Sequence, residues 1–499
     1  MKKANAKIVI YNALIYTASG LLLRCFSFFL LPLYTAYLTT EDYGIISLAA
    51  SFIETAAFVV AFSLFSAVMR FYVDLKEDSK RLKRFYGTVS LFVFLSSIFF
   101  GVILTVFYSY LSRFIFAGVP YYPVIFVSLV ALVFHCQQVI FDTILRSQQQ
   151  AKKSSLISIA FFIFNAVLTI VFICIFKLGA VGVIAASGIA YFVCTACLVI
   201  YMLRTRQISY CLDIALLKDA LRYSLPIMPH NLSTHIALLA SQILVGDVIS
   251  LGSLGIYSVA SKFGNLADTI QVYIDRAYGP WFYEVMHGGG EDLKNNLRKT
   301  VQLLISCIGL AFLVLALFSH DCIVLFLNKN YVEAWKYVPC IILVFAIKTM
   351  YYFYVEILFY YKKASKYLFT ATVTGSTLNI ILSFFLIPIW GIVGAVLANA
   401  ISMLVRVIIV VVISKRFADI GLYVRDFILN FITIAVFMAV GLSFSYLKFS
   451  SSFNILNFGF KIFVVLMYSS YAFFKYRKHL LFWIMVIREK YRHCFKNVV

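Results

Sequence analysis

The sequence is short of charge, and shorter still of acid. Only 13% of the 499 residues are charged, with 21 Asp and Glu against 43 Lys and Arg. Hydrophobic residues make up 63% and the mean hydropathy is +0.94, values that no soluble domain sustains over this length. Long polar stretches are also missing. The longest loops, near residues 204–222 and 320–337, are shorter than a small fold, which leaves no room for a soluble catalytic domain. Apolar segments of 18 or more residues recur instead of the alternating segments of about 10 residues that a barrel would show. No small-residue cleavage site follows a short apolar core near the N-terminus, so the first helix is expected to remain as a signal anchor.

Several motifs lack the company they need. Cys194-x-x-Cys197 has no second pair, and the ten cysteines lie mostly inside apolar segments, where they read as small packing residues. His230 and His235 are about 140 degrees apart on a helix and share no metal-binding face. Gly288-Gly289-Gly290 follows no strand and reads as a flexible turn. No cofactor or metal is expected.

What remains is an all-α polytopic membrane protein. Fourteen spans are expected at about 9–37, 43–69, 86–110, 121–145, 154–176, 179–203, 223–246, 252–285, 300–319, 338–360, 366–388, 391–414, 427–447 and 455–474. An even number puts both termini on one side, and the loop charges identify it. One set of alternate loops holds only Arg113, Lys177, Lys329, Lys336 and Lys448. Six more cations, Arg24, Lys262, Arg276, Lys348, Arg406 and Lys461, fall in or at the edges of spans. All the other Lys and Arg lie on the opposite side, which is therefore expected to be cytoplasmic and to carry both termini. This alternation accounts for the net charge of +22 without nucleic acid, whose partners gather basic residues on a soluble face.

The chain repeats itself. Phe164-Asn165-Ala166-Val167-Leu168 matches Leu378-Asn379-Ile380-Ile381-Leu382, and Gly179-Ala180-Val181-Gly182 matches Gly391-Ile392-Val393-Gly394. Tyr43-Gly44-Ile45-Ile46-Ser47 matches Leu254-Gly255-Ile256-Tyr257-Ser258. Asn379 follows Asn165 by 214 residues, Gly391 follows Gly179 by 212 and Gly255 follows Gly44 by 211. Three matches in one order at nearly one offset imply that helices 1–6 and 7–12 are copies, related by an axis along the membrane normal. The expected organisation is a lobe at 1–208, a second at 209–417, helices 13 and 14 at 418–478, and a basic cytoplasmic tail at 479–499. The tail sets Arg488, Lys490, Arg492 and Lys496 beside Leu480-Leu481-Phe482-Trp483. It reads either as an interfacial helix on anionic lipid or as an orientation signal alone.

The charges inside spans are the candidate functional residues, because a central arginine costs about 2.5 to 3.5 kcal/mol on insertion scales. Arg24 interrupts the first span and Glu54 the second. Helix 8 carries Lys262, Asp268, Asp275, Arg276 and Glu284. Arg276 and Glu284 fall within about 40 degrees of Lys262, with Asp268 and Asp275 on a second stripe. Arg24, Lys262 and Arg276 could line one cavity, where guanidinium forks suit a pyrophosphate. The plainer readings are a packing ion pair at Arg24 and snorkelling at Arg276. Glu54, Asp142, Asp247, Asp268 and Glu356 are the acids placed to take a proton or sodium ion, or to serve as structural partners. Tyr351-Tyr352-Phe353-Tyr354 and Phe359-Tyr360-Tyr361 read as an interfacial belt before a sugar-stacking surface.

An apolar helix with Arg24 and Leu31-Pro32-Leu33-Tyr34-Thr35, followed by Glu41-Asp42-Tyr43-Gly44, resembles the start of a Wzx-type bacterial polysaccharide flippase. That group belongs to the multidrug/oligosaccharidyl-lipid/polysaccharide exporter superfamily. Ser224-Leu225-Pro226-Ile227-Met228-Pro229 and Leu254-Gly255-Ile256-Tyr257-Ser258 carry the likeness into the second half. The resemblance implies two lobes that move a polyprenyl-pyrophosphate-linked oligosaccharide between leaflets of the inner membrane by ion-driven alternating access, with no bond broken. It implies a lipid-linked oligosaccharide and membrane lipids as partners, with polymerase and chain-length proteins of an O-antigen or capsule pathway as further candidates. A cation-coupled multidrug exporter of the same superfamily would want an acidic cavity. A membrane polysaccharide polymerase or transferase would want a sizeable outer loop.

Overall fold

The computed structural model describes residues 6–288, 293–361, 364 and 366–496, and among them there is no strand. The first nine helices are α1 (Ala6–Phe29), α2 (Leu31–Tyr37), α3 (Thr40–Val60), α4 (Leu64–Leu75), α5 (Ser79–Val106), α6 (Tyr108–Phe114), α7 (Phe126–Ser147), α8 (Ala151–Ile170) and α9 (Gly179–Arg204). The remainder are α10 (Ile214–Ser224), α11 (Met228–Leu244), α12 (Leu251–Gly288), α13 (Leu293–Phe326), α14 (Val338–Tyr360), α15 (Lys366–Phe417), α16 (Val424–Leu447) and α17 (Ile455–Lys496).

Twelve helical stretches among the described residues are long and apolar enough to cross a membrane. The expected fourteen spans follow from two local facts. Tyr367–Phe417 is two spans, because Pro388 and the left-handed Gly391 (φ 60°, ψ −135°) break α15 near its middle. α12 is long enough to cross but too polar to register as apolar, and its 38 residues supply the other span. The protein is an all-α polytopic membrane protein with about fourteen spans.

By its internal packing the chain forms two compact units, Met1–Ser258 with Ser376–Ala398, and Val259–Gly375 with Asn399–Val499. In the first unit, the turn between α2 and α3 is held by a capping box: the Thr39 and Asp42 side chains each bond the other's backbone N–H at 3.1 Å. The second Asp42 oxygen accepts from the Ala180 N–H at 3.0 Å, so a single carboxylate caps α3 and α9. Gly179 stands at φ 55°, where a Cβ would lie 3.0 Å from that carboxylate. Asp42→Ala is therefore expected to cost about 1 to 2 kcal/mol and Asp42→Asn far less, read as thermal unfolding in detergent.

α3 meets the first turns of α12 backbone to backbone. A Cβ on Gly44 would overlap the Leu251 carbonyl, and one on Gly255 would overlap the Thr40 carbonyl. The Ser258 hydroxyl donates to Ser47 Oγ at 2.8 Å. At the repeat offset of 211, Leu251 is the counterpart of Thr40 and Ser258 of Ser47, so the contact is reciprocal between matched residues of the two helices. Gly179 and Gly391, 212 residues apart, also share a left-handed φ. Between α9 and α10, residues 205–213 are stapled to α5 by Ser209 N–H to the Lys83 carbonyl (3.1 Å) and Thr88 Oγ to the Cys211 carbonyl (2.7 Å).

In the second unit, Arg298 of α13 binds Asp426 of α16 through both fork nitrogens, at 2.8 and 3.1 Å, and lies over the Tyr423 ring. Nearby, Lys294 donates to Asp419 at 2.9 Å and the Gly421 N–H to the same carboxylate at 3.3 Å. These two bonds hold the Asp419 carboxyl below the usual carboxylate range. That pair is exposed and salt-screened, so it positions the loop more than it stabilises the fold. Trp335 is fully buried and donates its indole N–H to the Ser450 carbonyl at 2.8 Å. The backbone of the basic tail continues α17 without a break to Lys496, and the tail's side chains lie outside the described residues.

Candidate functional site

The candidate residues fall in both units. In the first, Arg24 projects from α1 and is exposed within an otherwise apolar helix. Glu54 on α3 and Asp247 after α11 are also exposed. Asp142 on α7 is committed to structure: it pairs with Arg146 at 2.6 Å and accepts from Ser154 at 2.7 Å. Ser241 of α11 reaches Asn379 Oδ1 (3.1 Å) and Ser383 Oγ (2.9 Å) of α15, so the repeated asparagine belongs to a buried hydroxyl cluster. Cys194 and Cys197 line an apolar groove of about 350 Å³ between α8 and α9, with Phe161, Phe164 and Tyr201.

In the second unit, α12 carries a wide polar face, as the helical period requires. Lys262 is half-buried, and Arg276 is exposed with its guanidinium 5.5 Å from the Tyr273 ring. Asp268 accepts from Lys348 of α14 at 2.6 Å and from the Tyr352 hydroxyl at 3.2 Å. Lys348 thus has a partner two helices back in the chain, a pairing that the separate sequence positions do not reveal. Glu356 is buried on α14, where α12 passes it at Gly279: a Cβ there would lie 3.2 Å from Glu356 Oε1. The Tyr283 hydroxyl donates to the same carboxylate.

The α14 aromatics depart from the expected belt. Phe353 and Tyr354 are buried, with the Tyr354 hydroxyl bonded to the Leu422 carbonyl at 2.8 Å. The two are consecutive and about 100 degrees apart, and both find neighbours within the unit: Phe353 packs edge-on to Tyr278 of α12 and Tyr354 lies against Phe427 of α16. Phe359 and Tyr360 of the second aromatic group join Tyr283, Glu284 and His287 around an open cavity of about 660 Å³ at the end of α12. His235 stacks on Phe58 with ring centroids 4.4 Å apart.

A many-spanned helical protein that carries charges within its spans has the architecture of a membrane transporter. Residues 9–286 match the family described as polysaccharide biosynthesis protein, and the chain belongs to that family. Its fold is shared with solved members of the exporter superfamily. It resembles the lipid II flippase MurJ in an inward closed conformation at TM-score 0.67 and 17% identity, over 93% of this chain and 99% of that one. It also resembles a multidrug resistance MATE family transporter of the MOP superfamily in an inward-facing conformation, at TM-score 0.56 and 16% identity, over 81% and 93%. The bent form of the Vibrio cholerae MATE transporter VcmN gives 0.52 and 14%, over 85% and 98%. No curated protein sequence matches the chain.

Proposed function

We propose that the protein translocates a polyprenyl-pyrophosphate-linked oligosaccharide across the bacterial inner membrane by alternating access, coupled to an ion gradient, for O-antigen or capsule assembly. One observation carries this reading: a family match in polysaccharide biosynthesis on a chain that over 93% of its length takes a fold shared with a lipid II flippase. The working parts are lobes 1–208 and 209–417, with both termini cytoplasmic. The reciprocal contact at Gly44 and Gly255 and the shared left-handed glycines support the repeat.

In this reading Arg24, Lys262 and Arg276 receive the pyrophosphate. Flipping breaks no bond. The protein has only to replace water around phosphates and sugar hydroxyls while the lipid tail stays in the membrane, and guanidinium forks do this bidentately. Among the five acids proposed for ion coupling, Asp142 and Asp268 already hold cations of the protein, which leaves Glu54, Asp247 and Glu356 less committed. One charge crossing 100 mV is worth about 2.3 kcal/mol, a sufficient bias for a two-state cycle. Polymerase and chain-length proteins of the same pathway are the proposed partners.

Arg24→Ala is expected to abolish surface glycan in a strain dependent on this protein while membrane levels stay normal. Arg24→Lys should keep part of the activity where a point charge suffices and none where the fork is required. Normal glycan in the alanine variant, scored by immunoblot of surface polysaccharide, would return Arg24 to a packing role. A requirement for a sugar nucleotide in the purified protein would replace transport by transferase chemistry.

A further inference from the structure

The apolar groove between α8 and α9 in the first unit is lined by none of the residues proposed to receive the pyrophosphate. Helical spacing builds it. One wall runs from Ile157 to Phe164 of α8 and the other from Ala190 to Tyr201 of α9, each at the i, i+3, i+4, i+7 positions that share a helix face. Small side chains recess it: Ala190 is fully buried, and Ala160, Cys194 and Cys197 leave space that larger residues would fill. The buried residues of α8 are Ala151, Ser154, Ser155 and Thr169, all near its ends, so its middle contributes none to the core.

The groove has a definite length. Tyr201 follows Ala190 by 11 residues, which is about 16 Å of helix. A bilayer's hydrocarbon core is about 30 Å thick, so the recess runs to about the depth of one leaflet. A volume of about 350 Å³ drawn out over that length is a slot, far narrower than a helix about 10 Å across. A second transmembrane segment does not fit inside it, whereas a single hydrocarbon chain does.

One end of the slot is charged. Lys153 at the start of α8 is exposed, donates to the Tyr201 hydroxyl at 2.8 Å and stands 5.4 Å from the centre of that ring. An ammonium has three N–H donors, and this bond uses one. The chain around it is basic without relief: no Asp or Glu occurs between Asp142 and Asp213, while Lys152, Lys153, Arg204 and Arg206 all fall at the Tyr201 end of the two helices. Asp142 itself is neutralised by Arg146 at 2.6 Å. An apolar slot one leaflet deep, headed by cations, complements an amphiphile with a negative head.

We infer that this groove binds an anionic phospholipid of the leaflet that the basic loops face, with one acyl chain between α8 and α9 and the phosphate on Lys153. Lys152, Arg204 and Arg206 supply the surrounding positive field. Tyr201 stands at the junction of the two regions, its ring against the chain and its hydroxyl at the head group, as an amphipathic side chain does at a membrane interface. Apolar burial holds the lipid, and the cations choose its charge. The site requires no particular cargo and does not rest on the flippase reading.

The groove carries its own reporter, because Cys197 in its wall is exposed. The purified full chain in detergent is mixed with dioleoyl phosphatidylglycerol or dioleoyl phosphatidylethanolamine and alkylated with N-ethylmaleimide, and Cys197 is scored by peptide mass spectrometry against the exposed Cys25 of α1. Phosphatidylglycerol is expected to slow Cys197 severalfold at concentrations tenfold below those phosphatidylethanolamine needs, with Cys25 unchanged. Lys153→Glu should abolish that preference. Ala160→Trp, which fills the groove from an exposed position, should leave Cys197 slow without lipid and indifferent to it. Lys415→Glu, an exposed cation at the end of α15, should change nothing. Equal protection by the two lipids, or a preference that survives Lys153→Glu, overturns the site. Protection by undecaprenyl phosphate at lower concentration than phosphatidylglycerol would assign the groove to a polyprenyl tail and overturn it equally. Should Ala160→Trp fail to fold, the two-lipid comparison on the unaltered chain and on Lys153→Glu decides.

Discussion

Replacing Lys461 by methionine is expected to destabilise the protein by about 3 to 5 kcal/mol, the cost of leaving a buried charge without its partner. Lys461 sits in α17, fully buried, and donates to Asp321 of α13 at 2.7 Å and to His320 Nδ1 at 3.1 Å. His320 Nε2 lies 2.7 Å from the Phe449 carbonyl, which can only accept, so Nε2 carries the proton and Nδ1 receives the lysine's. His320 Nδ1 also lies 3.3 Å from Asp321 Oδ1, so ammonium, imidazole and carboxylate form one buried cluster. Its imidazole also stands edge-on to the buried Trp335 ring, 4.8 Å between centroids. Removing the ammonium strands the Asp321 carboxylate; removing both, as Lys461→Met with Asp321→Leu, should recover most of the loss, because an apolar pair of similar volume carries no desolvation cost. Thermal unfolding in detergent of the two single variants and the double variant gives the coupling directly. A single Lys461→Met variant with unaltered stability would mean that water reaches the site and that α13 and α17 are held by apolar packing alone.

Much of the fold could be read from residue type alone, since apolar runs of about twenty residues between basic loops mark spans whatever their tertiary setting. Even α12, too polar to register by hydropathy, was identifiable because Gly255 and Ser258 repeat Gly44 and Ser47. Other features had no local signal. The span expected at 43–69 breaks at Phe62 and Ser63, both at positive φ (48° and 52°), with no glycine or proline to announce it. The stretch 204–222, expected as loop, contains α10, whose eleven residues sit behind an Asp213 cap. The buried lysine was visible as a charge in an apolar span, but its partner stands 140 residues away. Partnership across the bundle is a property of packing, and so the pairing of Lys348 with Asp268 emerges only once α12 and α14 lie side by side. Conversely, the motif Glu41-Asp42-Tyr43-Gly44 acquires a mechanical reason: Asp42 caps two helices and Gly44 admits a third backbone.

Leucine at Gly44 is expected to break the α3–α12 contact outright. The crossing has no slack, because the atom a Cβ would strike is a backbone carbonyl of a helix's first turn and not the far end of a flexible side chain. Small residues at such points let two helices approach closely enough for dispersion and backbone dipoles to act, and larger ones force the axes apart. Overpacking at a rigid site typically costs about 1 to 3 kcal/mol. Gly44→Ala and Gly255→Ala should cost similar amounts, since each glycine meets the backbone carbonyl of the other helix's first residue, Leu251 or Thr40. Gly101→Ala is the control: it stands in the interior of α5 with nothing within 4 Å of its Cβ position, and alanine there should stabilise by up to about 1 kcal/mol. The contact itself can be followed through Ser47 and Ser258, whose hydroxyls are 2.8 Å apart. Cysteines at both positions should form a disulfide in membranes under mild oxidation, and Gly44→Leu in that background should reduce its yield severalfold. Undiminished cross-linking would show that α3 and α12 can separate at Gly44 while staying together at Ser47, and the close backbone approach would then be incidental to the pairing of the two repeats.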